Sequence, residues 1–218
     1  MFLAAAQGGH EGIVQHLLEK GVNIDAKDQE GHGALAFAAS GGPESLVRLL
    51  LENGADANSG VCDWGNPPLA AAAYQGKESI IRLLLAHGAD VEGVDKRGNT
   101  PLMRAIFPGR EDALRLLLAH GANVNAVDNL WKHAAVGRRI MRLLLARGAD
   151  VNVTNQFGHT PVTNAARVGA ESIVRLLLKH GAHITGGKDD ERAKARSLQA
   201  KFELEEKQRQ ELATDKAS

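Results

Sequence analysis

His180 and His183 stand three residues apart, a spacing that can hold a metal ion. Gly181 lies between them and reads as a turn that separates the pair, so no metal site is assigned there. The nine histidines are otherwise scattered. His87, His120 and His180 each precede a glycine that ends an apolar run. An imidazole in that place can cover the free carbonyls of a helix end. The chain has no Gly-x-Gly-x-x-Gly, no phosphate-binding loop and no Gly-x-Ser-x-Gly nucleophile turn. Its one cysteine, Cys62, supports neither a disulfide framework nor a cysteine zinc site. No catalytic residue, cofactor or metal is expected, and the chain reads as a non-enzyme.

The arginines are more suggestive. Arg48, Arg82, Arg115, Arg142 and Arg175 recur at near-regular spacing, as a phosphate-binding ladder would. Glu44, Glu78, Glu111 and Glu171 lie four residues before four of them. Glu followed by Arg at i,i+4 is the favourable order on a helix, worth about 0.3–0.5 kcal/mol per pair. Most of the ladder is therefore expected to neutralise itself. The exception is Arg138, Arg139 and Arg142, with Arg147 nearby. A phosphate, nucleic-acid or acidic-peptide role would rest on that patch. The whole chain, with 26 basic and 26 acidic residues, has no net charge to draw it to nucleic acid or an anionic membrane.

The elements that carry these residues repeat. Gly21, Gly54, Gly88, Gly121, Gly148 and Gly181 each close a leucine-rich phrase, and lie 33, 34, 33, 27 and 33 residues apart. Such a period marks a stack of supersecondary units, none able to bury its apolar face alone. Each phrase reads as a helix end with glycine at C′, in the left-handed region. In the unit starting at Asp95, Thr100-Pro101 begins a first helix with Leu102, Ala105 and Ile106 buried. Pro108-Gly109 breaks it, and a second helix follows with Ala113, Leu114, Leu116, Leu117 and Leu118 on a broad apolar face.

This pattern resembles the ankyrin repeat. The resemblance rests on Gly98-Asn99-Thr100-Pro101-Leu102, on Gly158-His159-Thr160-Pro161-Val162 and on the recurring Leu-Leu-Leu-x-x-Gly-Ala-Asp phrase, and covers roughly residues 1–185. It implies an all-α repeat solenoid of antiparallel helix pairs with β-hairpin fingers, whose concave face binds protein partners. One departure stands out: the family's histidine after Thr-Pro-Leu is replaced by Met103 and Thr163, so its hydrogen bonds must be made otherwise or lost.

Individual units vary. The first starts mid-helix at Met1, which suggests either an unusual cap or an array cut from a longer one. The second has Gly33-Ala34-Leu35 and lacks a capping side chain; Pro67-Pro68 starts the third. The fifth is six residues short between Asp128 and Leu143. It is expected to open locally, with Trp131 either filling the core or exposed for recognition. After residue 185 the composition shifts. Residues 188–218 hold eight basic and eight acidic side chains and read as a charged helix, making residues 186–218 a tail. Ala195, Leu198, Phe202, Glu205, Arg209 and Leu212 form a seam that is only partly apolar. Leu198 and Phe202 are expected to cap the last repeat.

The resemblance also implies where partners bind: finger tips and the solvent side of the first helices. The residues there that the stack does not require include Trp64, Tyr74, Arg97, Arg104, Phe107, Phe157 and His159. Trp64, Tyr74, Phe107 and Phe157 are four of only eight aromatics, and aromatics and arginine are the usual anchors of binding hot spots. Packing between neighbouring fingers is the competing role. The expectation is a non-catalytic scaffold or adaptor, monomeric, with a protein partner. It is expected in the cytoplasm, with the nucleus also open to it; no apolar run approaches a membrane span. An alternative is the targeting part of a larger enzyme or regulator.

Overall fold

The computed structural model describes residues 1–126, 137–155 and 157–215; for Trp64 and Asp215 the backbone alone is described. Trp131 and most of the shortened stretch expected to open early lie outside these residues. The chain divides into two compact units, Met1–Asn123 and Val124–Ser218. Twelve α-helices are seen among the described residues, with isolated β-bridges and no strand.

In the first unit the helices come in pairs: α1 (Phe2–Gln7) with α2 (Glu11–Glu19), α3 (Ala34–Gly41) with α4 (Glu44–Glu52), α5 (Pro68–Gln75) with α6 (Glu78–Ala86), and α7 (Pro101–Ile106) with α8 (Glu111–Ala119). First helices stack on first helices, and second on second. The first helices are built from alanine for a reason of space. Ala36, Ala38 and Ala39 of α3 and Ala70 to Ala73 of α5 are buried, and methyl side chains let the two backbones close together at interior packing density. The second helices supply bulk: Leu46, Leu50, Ile81, Leu84, Leu114 and Leu117 have essentially no exposed surface. The second unit contains α9 (Arg138–Ala146), the pair α10 (Pro161–Arg167) and α11 (Glu171–Lys179), and α12 (Asp189–Asp215). α9 packs on α11, and α12 lies against both α10 and α11.

All six second helices end the same way. The glycine at C′ has φ between 77° and 89°, its N–H donates to the carbonyl three residues back, and the next N–H donates to the carbonyl five back. This is a Schellman motif, repeated as the sequence predicts. Nothing lies within 4 Å of a Cβ built at these glycines, so they are required by conformation and not by space. His87, His120 and His180 donate Nδ1–H to the carbonyl four residues back, each at 2.9 Å. That is the carbonyl-covering role read from their position.

A side-chain ladder ties each outgoing loop to the next. Asn58 Oδ1 accepts from Asp90 N–H at 2.7 Å and Glu92 Oε1 from Asn123 N–H at 2.7 Å. In the second unit Asn125 Oδ1 accepts from Asp150 N–H at 2.8 Å and Asn152 Oδ1 from His183 N–H at 2.7 Å. The acceptor always sits four residues after the helix-ending glycine. It satisfies a backbone donor that no strand is there to meet.

Candidate functional site

The finger tips are shaped by one acceptor each. Asp28 Oδ1 takes the N–H groups of Glu30 and His32, Asp95 Oδ1 those of Arg97 and Asn99, and Asn155 Oδ1 those of Phe157 and His159. An Asx side chain that bonds its own backbone two residues on closes a turn without a strand. Each fold-back aims the residues after it at the start of a first helix.

The first helices start differently from unit to unit. Thr100 caps α7, its Oγ1 accepting from Met103 N–H at 3.4 Å. At α10 the cap is reciprocal: Thr160 N–H donates to Thr163 Oγ1 at 3.0 Å, while Thr160 Oγ1 accepts from Thr163 N–H. Thr163 therefore fills the hydrogen-bonding place of the missing histidine, and Met103 leaves it empty. Gly33 and Pro67 cap α3 and α5 with no side-chain bond.

The candidate residues fall into two groups. Tyr74 at the end of α5 and Phe107 just after α7 occupy equivalent positions 33 residues apart, and are 37% and 56% exposed. Arg97 at the fourth finger tip is exposed, as is Phe157 at the sixth, at 63%. The structure brings Tyr74 and Phe107 onto the stacked pair α5 and α7. It does not add Arg104 or His159 to them as open side chains. Arg104 Nη2 lies 2.5 Å from Asp95 Oδ2, and the Asp95 side chain is wholly buried. Burial alone would raise the Asp95 pKa. Hydrogen bonds from Asn99 and Arg97 and the charge of Arg104 outweigh it and hold the carboxyl below its ordinary range. His159 is turned to Glu191 of α12, Nε2 to Oε2, at 3.0 Å.

Of the four expected Glu–Arg pairs, two form: Arg48–Glu44 and Arg115–Glu111, both at 2.6 Å. Arg82 and Glu78 make no such contact. Arg175 leaves Glu171 and hydrogen-bonds Glu205 of α12, while Lys201 takes Glu171 at 3.0 Å. The acids at helix starts also accept from the next repeat: Ser45 Oγ donates to Glu11 at 2.6 Å. α9 begins with Arg138 and Arg139 and has no acid in its first turn. Arg138, Arg142 and Arg147 are exposed. Among the described residues, no three His, Cys, Asp or Glu side chains gather as a metal site, and no helix is long and apolar enough to cross a membrane.

A sequence profile described as ankyrin repeats (3 copies) matches residues 1–60, 58–128 and 130–196. The chain belongs to the ankyrin-repeat family. Among solved structures this ankyrin-repeat chain is similar to the crystal structure of the human ASB11 ankyrin repeat domain, at 27% sequence identity and a TM-score of 0.71, over 84% of each chain. No curated protein sequence matches it. Ankyrin repeats are in general protein-interaction domains, and such domains are typically not enzymes.

Two features of this ankyrin-repeat chain escape a reading of its motifs. The loop ladder shows in the sequence as an Asp, Asn or Glu four residues after the first five of the six glycines, but its partners lie about 25 to 32 residues away. The cluster of His159, Arg167 and Glu191 joins a finger, α10 and α12. Nothing in local spacing links residue 159 to residue 191.

Proposed function

We propose that the protein is a non-catalytic scaffold that binds a protein partner through its fingers and first helices. The observation that carries this is the exposure of Tyr74 and Phe107 at equivalent positions of two packed repeats, where the stack requires no large side chain. Arg97, exposed at the fourth finger tip, extends the same surface, Phe157 offers a further anchor in the sixth unit, and Trp64, whose backbone lies in the third finger, is included on its residue type. Arg104 and His159, held by Asp95 and Glu191, shape the surface more than they reach from it. The cytoplasm suits the single, buried thiol of Cys62, which needs no oxidising compartment.

The test is partner capture with the full chain, followed by affinity measurement on the purified partner. Phe107→Ala or Trp64→Ala should weaken binding about thirtyfold, the ~2 kcal/mol of a hot-spot anchor, and leave the melting temperature intact. Lowered stability with unchanged affinity of the folded fraction would assign these side chains to packing between fingers and defeat the site.

A further inference from the structure

We propose that the face made by α10 and α11 is a docking surface for an acidic amphipathic helix, which α12 fills within the chain and can vacate for a partner helix of the same chemistry. The proposal rests on the protein-binding reading above and names a second surface and its ligand.

The face is basic. His159 on the sixth finger, Arg167 on α10, and Arg175 and Lys179 on α11 all point to α12. α12 turns carboxylates toward them. Glu191 meets His159 Nε2 at 3.0 Å and Arg167 Nε at 3.8 Å, Glu205 takes Arg175, and Glu206 lies 3.4 Å from Lys179. One pair runs the other way, Lys201 on α12 to Glu171 on α11. The Arg175 bond also holds the Glu205 carboxyl below its ordinary pKa range.

The apolar part of this seat is small. Ala195 and Phe202 are the apolar side chains of α12 that are buried, seven residues apart and so on one face, with the Arg175 guanidinium 4.0 Å from the Phe202 ring centroid. Leu204 and Leu212 face solvent. Glu191 is buried where it meets His159, but beyond that anchor α12 is held largely by part-exposed ion pairs, which are individually weak and loosen as salt screens them. Repeat seams built of leucine and alanine have no such sensitivity.

The vacated state is also provided for. With α12 gone, Arg175 can return to Glu171, the i,i+4 pairing that Arg48–Glu44 and Arg115–Glu111 already make. Gly186 and Gly187, consecutive and both at positive φ, join α12 to the array. Two such residues give the joint freedom that side-chain-bearing residues lack. In the docked state the joint is tight: a Cβ on Gly187 would meet Glu191 Oε2 at 2.7 Å. The fitting ligand is therefore a helix with a small and an aromatic residue seven apart, an acid four before the first, and acids three and four after the second.

The probe is a labelled synthetic peptide of residues 188–212, titrated into the full chain and into full chains carrying Glu205→Lys alone or Phe202→Ala with Glu205→Lys. The wild type should bind weakly because α12 occupies the seat. Releasing α12 should tighten binding about tenfold, as removal of a competing bound state does. The gain should shrink with salt and vanish for a peptide carrying Glu191→Lys, Glu205→Lys and Glu206→Lys. In the wild type, amides of α12 should exchange before those of α11, and sooner at high salt. Equal peptide binding by all three chains, with α10 and α11 protected in each, would overturn the proposal. So would α12 and α11 opening in one salt-insensitive step, which would make α12 a fixed end cap. The Phe107→Ala experiment does not involve α12, so failure of one reading is distinguishable from failure of the other.

Discussion

The fourth and sixth repeats begin with the same local chemistry and solve their charge differently. Asp95, Thr100, Met103, Arg104 and Phe107 of the fourth correspond, 60 residues on, to Asn155, Thr160, Thr163, Asn164 and Arg167 of the sixth. In the fourth the finger carboxylate stays inside the repeat, where Asp95 takes Arg104 at 2.5 Å. In the sixth the finger acceptor is the neutral Asn155, and Asn164 Oδ1 accepts from Arg167 Nη2 at 2.8 Å. The carboxylate there is Glu191, supplied by α12. A repeat that neutralises itself needs no neighbour to settle its charge. A repeat that leaves the Arg167 guanidinium and the His159 imidazole without a carboxylate of their own can select what covers them, and specificity of this kind comes from charge arrangement more than from buried area.

The largest effects should be those the two repeats share. Leu117 and Leu177 are equivalent and fully buried, so Leu117→Ala and Leu177→Ala should each cost about 2–5 kcal/mol in denaturant melts. A cost well below this at Leu177 alone would mean that the sixth repeat is not stacked as the fourth is.

Next is the charge pair. Asp95→Asn makes the fourth repeat like the sixth without supplying a Glu191, leaving Arg104 part-buried and uncompensated, at a cost of about 1–3 kcal/mol. Because the Asp95 pKa in the folded state lies below its ordinary 3.8, its contribution is complete above that value and is lost as pH falls through the depressed one. The wild type should lose this stability in acid, and Asp95→Asn should lack that part of the acid dependence. Identical acid profiles would place the pair outside the folding balance.

Capping is smaller and reversible between the two. Thr163→Met should remove the reciprocal cap of α10 and cost about 1 kcal/mol, while Met103→Thr should restore it at α7 and gain a similar or smaller amount. Thermal melts of the two variants moving in the same direction would show that the caps are not interchangeable. The smallest effect belongs to Lys179→Ala, which removes one exposed ion pair to α12 and should change stability by no more than about 1 kcal/mol. A larger loss would make the tail seam stiffer than its composition suggests.

Much of this molecule follows from local rules. The glycine-ended leucine phrases become Schellman-capped helices, the Thr-Pro pairs start first helices, and the histidines before the glycines cover carbonyls. Each outcome depends on backbone geometry within five residues, and the chain states the glycine-ended phrase six times, the histidine three times and the Thr-Pro start twice. The exposed candidates were legible for a related reason: Tyr74 and Phe107 fall where periodicity assigns no core role. Arg104 and His159 were legible as polar residues on the right face, but their partners were not. Asp95 is nine residues from Arg104 in the chain, and Glu191 is 32 from His159. The four-residue rule likewise put Glu171 with Arg175, since it knows nothing of a helix arriving from residues 189–215.

What the sequence by itself determined is therefore the repeating unit and its stack: helix limits, caps, the buried leucine and alanine faces and the family they identify. These come from short-range steric and hydrogen-bonding preferences that a period of about 33 residues makes unmistakable. What only the tertiary structure decided is which charges meet. An ion pair forms between whichever opposite charges come within about 4 Å, and that distance depends on how helices far apart in the chain are seated. So α12, read from the sequence as a charged helix that caps the last repeat through Leu198 and Phe202, also carries the carboxylates that meet His159, Arg167, Arg175 and Lys179.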